Sequence, residues 1–380
     1  MKKLLPIIAS ILLFTIPCFA TSYDNLGIGD SIQKGIMGAT NGGMPTLNSY
    51  DSRTYINRGA GGTCSDGAVT NLPTWLASDT PTRVYSNYGI NDIAYHAGCA
   101  MTRASWLSNY STILSDVTGA SATLYTMQIT PSCSSFFGGT YINGTLSQEI
   151  KIWNAHLEDF AYTNSLNTIS SFLEMSDPAS DDCLNSAYND IVGGPDGVHP
   201  SSVGDAVLGY LMYKSAVPTR SRDWGSSSYP TFGHESFSWW VITGGSLVGG
   251  DTDAVTGNKN GGTLTLGSSD SAVSPVLAIL PPVGKTISIS TTGTVGTTYY
   301  RHSASNFTRT AVSPSWTAYT GTVTPISAGT AEFFQTEYSG ISAVTLSTLN
   351  WNVAGGGDTP AASSGIISGG SSMSGGGSVR

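Results

Sequence analysis

The sequence predicts an α/β domain on a parallel sheet over residues 21–222, followed by an all-β, sandwich-like module over 223–354. Three observations carry this. Short β-branched or aromatic runs alternate with helical patterns as far as Val217, and strands that alternate with helices pair in parallel under helical cover. Beyond Pro218 the helical period gives way to Thr/Ser/Val alternation broken by turn residues, the pattern of a β-sandwich. With 380 residues there is enough chain for both, at about 150 residues per domain.

In chain order, the first predicted strands are 25–29, 54–57, 83–88, 122–129 and 168–175, each rich in β-branched or aromatic types. Leu146, Ile150, Trp153, Leu157 and Phe160 recur at steps of four and three and line one face of a helix. Val203, Val207, Leu211 and Ser215 repeat that spacing, with Ser201 placed as the N-cap. In the second module the predicted strands are 263–266, 276–280, 286–291, 297–301, 330–338 and 344–351. From 355 to 380 the chain is Gly, Ser and Ala, which bury too little to offset their ordering entropy, so a flexible tail is expected.

At the other end, Lys2 and Lys3 precede an apolar run to Phe19 and a small residue at Ala20, which predicts a secretory leader over 1–20 and a secreted or periplasmic protein. No later stretch approaches the length of about 18 apolar residues that a membrane span needs. Removing the leader leaves Cys64, Cys99, Cys133 and Cys183, an even number suited to two disulfides in an oxidising compartment. Three pairings are possible; Cys64–Cys99 with Cys133–Cys183 joins neighbouring loops and is the one expected. No Cys-x-x-Cys pair points to a metal.

The chemistry-bearing residues follow predicted strands. Gly29-Asp30-Ser31 ends the first, putting Ser31 where ligands of open α/β sheets bind. Asn57 to Thr63 follows the second with glycines at 59, 61 and 62, where the missing Cβ lets a backbone N–H approach a reacting carbonyl. Gly89-Ile90-Asn91-Asp92 follows the third; Asn91 offers an amide donor to a developing oxyanion, and Asp92 reads as structural. Asp196-Gly197-Val198-His199-Pro200 stands before the last helix, with the acid and base three apart so that the carboxylate can orient the imidazole. A serine hydroxyl becomes a competent nucleophile when a neutral imidazole takes its proton, and imidazole is neutral above its ordinary pKa of about 6.5.

In this order the four elements resemble the SGNH (GDSL-type) esterase and lipase family over residues 23–217. The resemblance implies a three-layer flavodoxin-like fold and a serine ester hydrolase that needs no cofactor or metal. It places the nucleophile on Ser31, the acid–base pair on Asp196 and His199, and the oxyanion donors on the Ser31 N–H, the Asn91 amide and a glycine N–H. Gly62, five residues after Asn57 as in the family pattern, is the chosen glycine, with Gly59 in reserve. Ile32 replaces the family's usual leucine. The reading is a secreted esterase removing acyl groups, acetyl first, from a carbohydrate. A lipase or lysophospholipase, and a non-catalytic surface or virion-associated binder on an esterase-like scaffold, are the alternatives.

Net charge of −9 with 16 Lys and Arg argues against a phosphate-tracking nucleic-acid binder. No Gly-x-Ser-x-Gly occurs, which excludes an α/β-hydrolase elbow. His156, His234 and His302 are set aside by position, while His96 is close in sequence to Asn91. In the β-module Trp239, Trp240, Tyr299, Tyr300, Trp316, Tyr319, Phe333, Phe334, Tyr338 and Trp351 divide between core and surface; outward-facing rings there are expected to serve glycan binding or assembly.

Overall fold

The computed structural model describes residues 22–354 except 36–40, 95–97, 100, 134–144, 170, 178–179, 190–195, 217–227, 235–239, 249–250, 253–258, 261–262, 281–285, 294–296, 322, 327–329 and 340–343. The expected leader, the tail, His96 and Trp239 lie outside the described residues. The chain divides into two compact units, one of Met1–Ile150, Asn167–Met175 and Cys183–Ala216, the other of Lys151–Leu166, Ser176–Asp182 and Val217–Arg380.

The first unit is built on five parallel strands, β1 (Asn25–Gly29), β2 (Tyr55–Asn57), β3 (Arg83–Asn87), β4 (Thr123–Met127) and β5 (Asn167–Ile169), in the order β2-β1-β3-β4-β5. This is the flavodoxin-like order, whose direction reverses between β1 and β3 and leaves a crevice at their carboxyl ends. β1 pairs with β2 on one side and β3 on the other, and all five of its residues are buried. It carries glycines because its neighbours come close: a Cβ at Gly29 would stand 2.5 Å from the Asn87 carbonyl oxygen, and one at Gly27 would strike the Gln33 side chain.

Among the described residues eight helices fall along the same stretch of chain: α1 (Ser31–Lys34), α2 (Met44–Asp51), α3 (Ser65–Asp79), α4 (Ile90–Ala94), α5 (Arg103–Gly119), α6 (Leu146–Thr163), α7 (Ser171–Met175) and α8 (Ser202–Ala216). On α5, Trp106, Tyr110, Ile113 and Val117 recur at steps of four, three and four and are all buried, a clear helical face. The expected face of α6 holds at Leu146, Ile150, Trp153 and Leu157, which are buried.

Two expectations are corrected. Residues 168–175 are not one strand: β5 ends at Ile169 and α7 begins at Ser171. Gln128 turns the chain there, its carbonyl accepting the Ser171 hydroxyl at 2.5 Å and its side-chain oxygen the Phe172 N–H at 3.1 Å. On α8 the apolar face is Val207, Leu208, Leu211 and Met212, while Val203 is 53% exposed, because in the first turn the packed side is taken by Gly204 and Asp205. Ser201 caps this helix as expected, accepting the Gly204 N–H at 3.3 Å.

The second unit is dominated by antiparallel strands. Strands Ser246–Val248, Thr263–Leu266, Val344–Ala354 and Thr286–Gly293 form one sheet, with Ser228–His234 also pairing Val344–Ala354. A second sheet runs Thr317–Ala318, Thr297–Ser303, Glu332–Ser339, Ser271–Val273, Val241–Thr243, with Leu277–Ile279 pairing Glu332–Ser339. Trp240, Phe333, Phe334 and Tyr338 are buried, while Tyr299, Tyr300, Trp316 and Tyr319 are half-buried. Arg301 is also buried, donating to Gln335 and the Arg309 carbonyl, with its guanidinium over the Phe307 and Trp316 rings.

Candidate active site

Ser31 is the first residue of α1, directly past the carboxyl end of β1. Asp30 caps α1, its side chain accepting the Ile32 N–H at 2.9 Å, and Gly35 closes it in the left-handed region at φ 72°. The Ser31 N–H therefore points from the open start of a helix turn, where no backbone acceptor four residues earlier is available.

The loop after β2 continues along β1. The Arg58 and Ala60 N–H groups donate to Gly27 and Gly29 at 2.8 and 3.0 Å, and the Asn57 amide donates to the Gln33 carbonyl at 2.7 Å. This path brings the glycine turn alongside Ser31. Gly62 sits at φ 73° with an N–H that has no partner among the described residues. Gly59 differs: its N–H is taken by the Asn57 side-chain oxygen at 2.9 Å, so it has no proton to offer a ligand.

Asn91 enters from α4 after β3 and is buried. Its Nδ2 donates to the Thr63 carbonyl at 3.0 Å, which fixes the amide with nitrogen toward the glycine turn and leaves the second Nδ2 hydrogen available. Thr63 is held in turn by its hydroxyl on the Ala60 carbonyl at 2.7 Å.

The loop before α8 brings His199 to Ser31. Its Nε2 lies 2.8 Å from the Ser31 hydroxyl and its Nδ1 2.5 Å from Asp196 Oδ2. Asp196 Oδ1 also accepts the Val198 and His199 N–H groups, both at 2.8 Å. Burial works to raise the Asp196 carboxyl, but the bonds from the His199 ring and the two backbone N–H groups outweigh it and hold the group below the ordinary carboxylate range. With Nδ1–H given to the carboxylate, Nε2 presents its lone pair to the serine. Gly197, at φ 75°, makes the bend; its carbonyl accepts the Ser132 hydroxyl at 2.8 Å.

The two disulfides are Cys64–Cys99 and Cys133–Cys183, the pairing expected from the sequence, with Cα separations of 6.0 and 4.7 Å. Each is next to a site anchor: Cys64 follows Thr63, which holds Asn91, and Cys133 follows Ser132, which holds Gly197. Neither anchor was singled out from the sequence, although Thr63 follows the chosen glycine directly. Asp92, read as structural, is buried and receives the Ser65 N–H and hydroxyl at 3.0 and 2.6 Å, pinning the start of α3.

Among the described residues no helix is long and apolar enough to cross a membrane, and no cluster of three His, Cys, Asp or Glu could hold a metal. No protein-family model and no curated protein matches the chain. Solved structures do. An assigned acylhydrolase of Bacteroides fragilis is 24% identical, with TM-score 0.43, over 51% of this chain and 86% of that one. A GDSL-like lipase of Bacteroides thetaiotaomicron is 20% identical, with TM-score 0.41, over 50% and 84%. A lipase/acylhydrolase of Enterococcus faecalis is 18% identical, with TM-score 0.41, over 52% and 100%.

Proposed function

We propose that this chain is a secreted serine ester hydrolase of the SGNH (GDSL) type, acting on short acyl esters, acetyl first, carried by a carbohydrate. The observation that carries the reading is the unbroken line of hydrogen bonds from Ser31 through His199 to Asp196, 2.8 Å and 2.5 Å long, at the crevice of a parallel sheet. In this mechanism His199 Nε2 takes the Ser31 proton as Oγ attacks the ester carbonyl, and Asp196 stabilises the imidazolium. The oxyanion is received by the Ser31 and Gly62 N–H groups and the free Asn91 amide hydrogen. His199 then protonates the leaving alcohol, and water activated by the same imidazole clears the acyl-Ser31.

Two disulfides suit an oxidising compartment, in keeping with the expected leader. The carbohydrate part of the reading rests on Tyr299 and Tyr319, half-buried rings in the second unit of the kind that stacks on sugars; Trp316 already lies against the Arg301 guanidinium and Tyr300 against the Phe334 ring. The test is hydrolysis of 4-nitrophenyl acetate and octanoate by the purified chain beside Ser31→Ala. Turnover of acetate that vanishes in the variant is expected. A preference for octanoate turns the reading to a lipase, and no turnover of either ester by folded protein turns it to a binding protein.

A further inference from the structure

Two acids beneath the site play no part in that chemistry. Asp30 precedes Ser31, Asp92 follows Asn91, and both are fully buried. Each uses one oxygen only: Asp30 Oδ1 accepts the Ile32 N–H, and Asp92 Oδ1 accepts from Ser65. The second oxygen of each is buried with no partner among the described residues. No Lys, Arg or His among the described residues is paired with either. The groups that face them are acids or phenols: Asp30 and Asp92 face each other, Asp66 faces Asp92, and the Tyr88 and Tyr110 hydroxyls face both. Burial pushes both tyrosines up, so they remain neutral phenols.

A buried carboxylate with one neutral donor and no counter-ion is costly, and two side by side repel. We propose that Asp30 is a neutral carboxylic acid in the working site, a positioning residue whose proton keeps a negative charge out from under the oxyanion donors. The inference rests on the esterase reading above. Burial is the main cause that takes Asp30 up to about 8; the Ile32 N–H bond works against it, and repulsion from Asp92 adds to it. Burial likewise takes Asp92 up to about 6 against the two bonds from Ser65, so Asp92 is the member of the pair that ionises first.

When Asp30 gives its proton to solvent base, the new charge lies one residue from the Ser31 N–H. It opposes the oxyanion, which exists only along the reaction path, and leaves the neutral bound ester almost untouched. Turnover is therefore expected to fall up to tenfold per pH unit above about 8, with KM nearly constant.

The experiment uses the full chain labelled with ¹³C at aspartate carboxyls, with kcat and KM for 4-nitrophenyl acetate followed over the same pH range. One carboxyl resonance titrating near 8, absent from Asp30→Asn, together with loss of the alkaline fall in kcat in that variant, is the expected result. If Asp30→Asn does not fold, the unsubstituted protein still decides: every aspartate carboxyl resonance at the carboxylate shift at pH 7 overturns the proposal. An alkaline fall unchanged in folded Asp30→Asn also overturns it. A carboxyl titrating near 8 in a protein that hydrolyses no ester strikes the esterase reading, and with it the positioning role, while leaving the proton on Asp30.

Discussion

On one side of Ser31 stands Asp30; on the other, through His199, stands Asp196. Among the described residues Asp30 is fully buried and accepts the Ile32 N–H, whereas Asp196 is partly exposed and accepts from two backbone N–H groups and an imidazole. The first is pushed up to about 8 and the second held below the ordinary range. Burial works to raise both carboxyls, far more strongly at the deeper Asp30, and more donors are aimed at Asp196, so depth and donor number together set the difference. One site can thus keep an acid neutral and an acid charged with Ser31 between them.

The sharpest way to break this contrast is Asp196→Asn. The amide cannot hold the imidazole in the tautomer that frees Nε2, and kcat is expected to fall by about 10³–10⁴ with little change in fold. Steady-state kinetics beside a circular dichroism spectrum checks this; a loss under tenfold would detach Asp196 from catalysis.

Asp30→Asn tests the other side through stability. The folded chain keeps the Asp30 proton up to about 8, while the unfolded chain releases it near 3.8, so the folded state binds more protons between those limits. The contribution is complete below the lower limit and is lost as pH rises toward the upper one. Asp92 acts in the same sense up to about 6. Denaturant midpoints should fall between pH 5 and pH 8, in step with a loss of unfolding free energy on the order of a few kcal/mol that Asp30→Asn largely removes. A midpoint difference identical in both proteins would contradict the assignment.

Asn91→Ala removes one oxyanion donor and its bond to Thr63, and turnover is expected to drop about a hundredfold, or about 3 kcal/mol. Unchanged kcat in a folded variant would exclude the amide from the site.

The sequence made much of this arrangement readable, for reasons that differ from residue to residue. The glycine turn and Asn91 each follow a β-branched or aromatic run, and Ser31 follows the short run Asn25–Gly29, so strand ends located them before any contact was known. Asp196 and His199 were joined by their spacing. The central strands and the face of α6 followed from periodicity, as the face of α5 would have done from Trp106, Tyr110, Ile113 and Val117. Residues 168–175 misled because the break after Ile169 is imposed from outside by Gln128, a partner 43 residues away from Ser171. The state of Asp30 was not legible at all: it depends on which donors and cations are missing around a buried oxygen, and a string of letters records presence.

Several of the bonds that set the site end on main-chain carbonyls: those of Thr63 under Asn91, Gly197 under Ser132 and Gln33 under Asn57. A carbonyl is supplied by every amino acid. Mutational drift at such a position can replace the side chain while the anchor itself passes unchanged from one generation to the next, so descendants of one ancestor can keep this geometry long after their letters have parted.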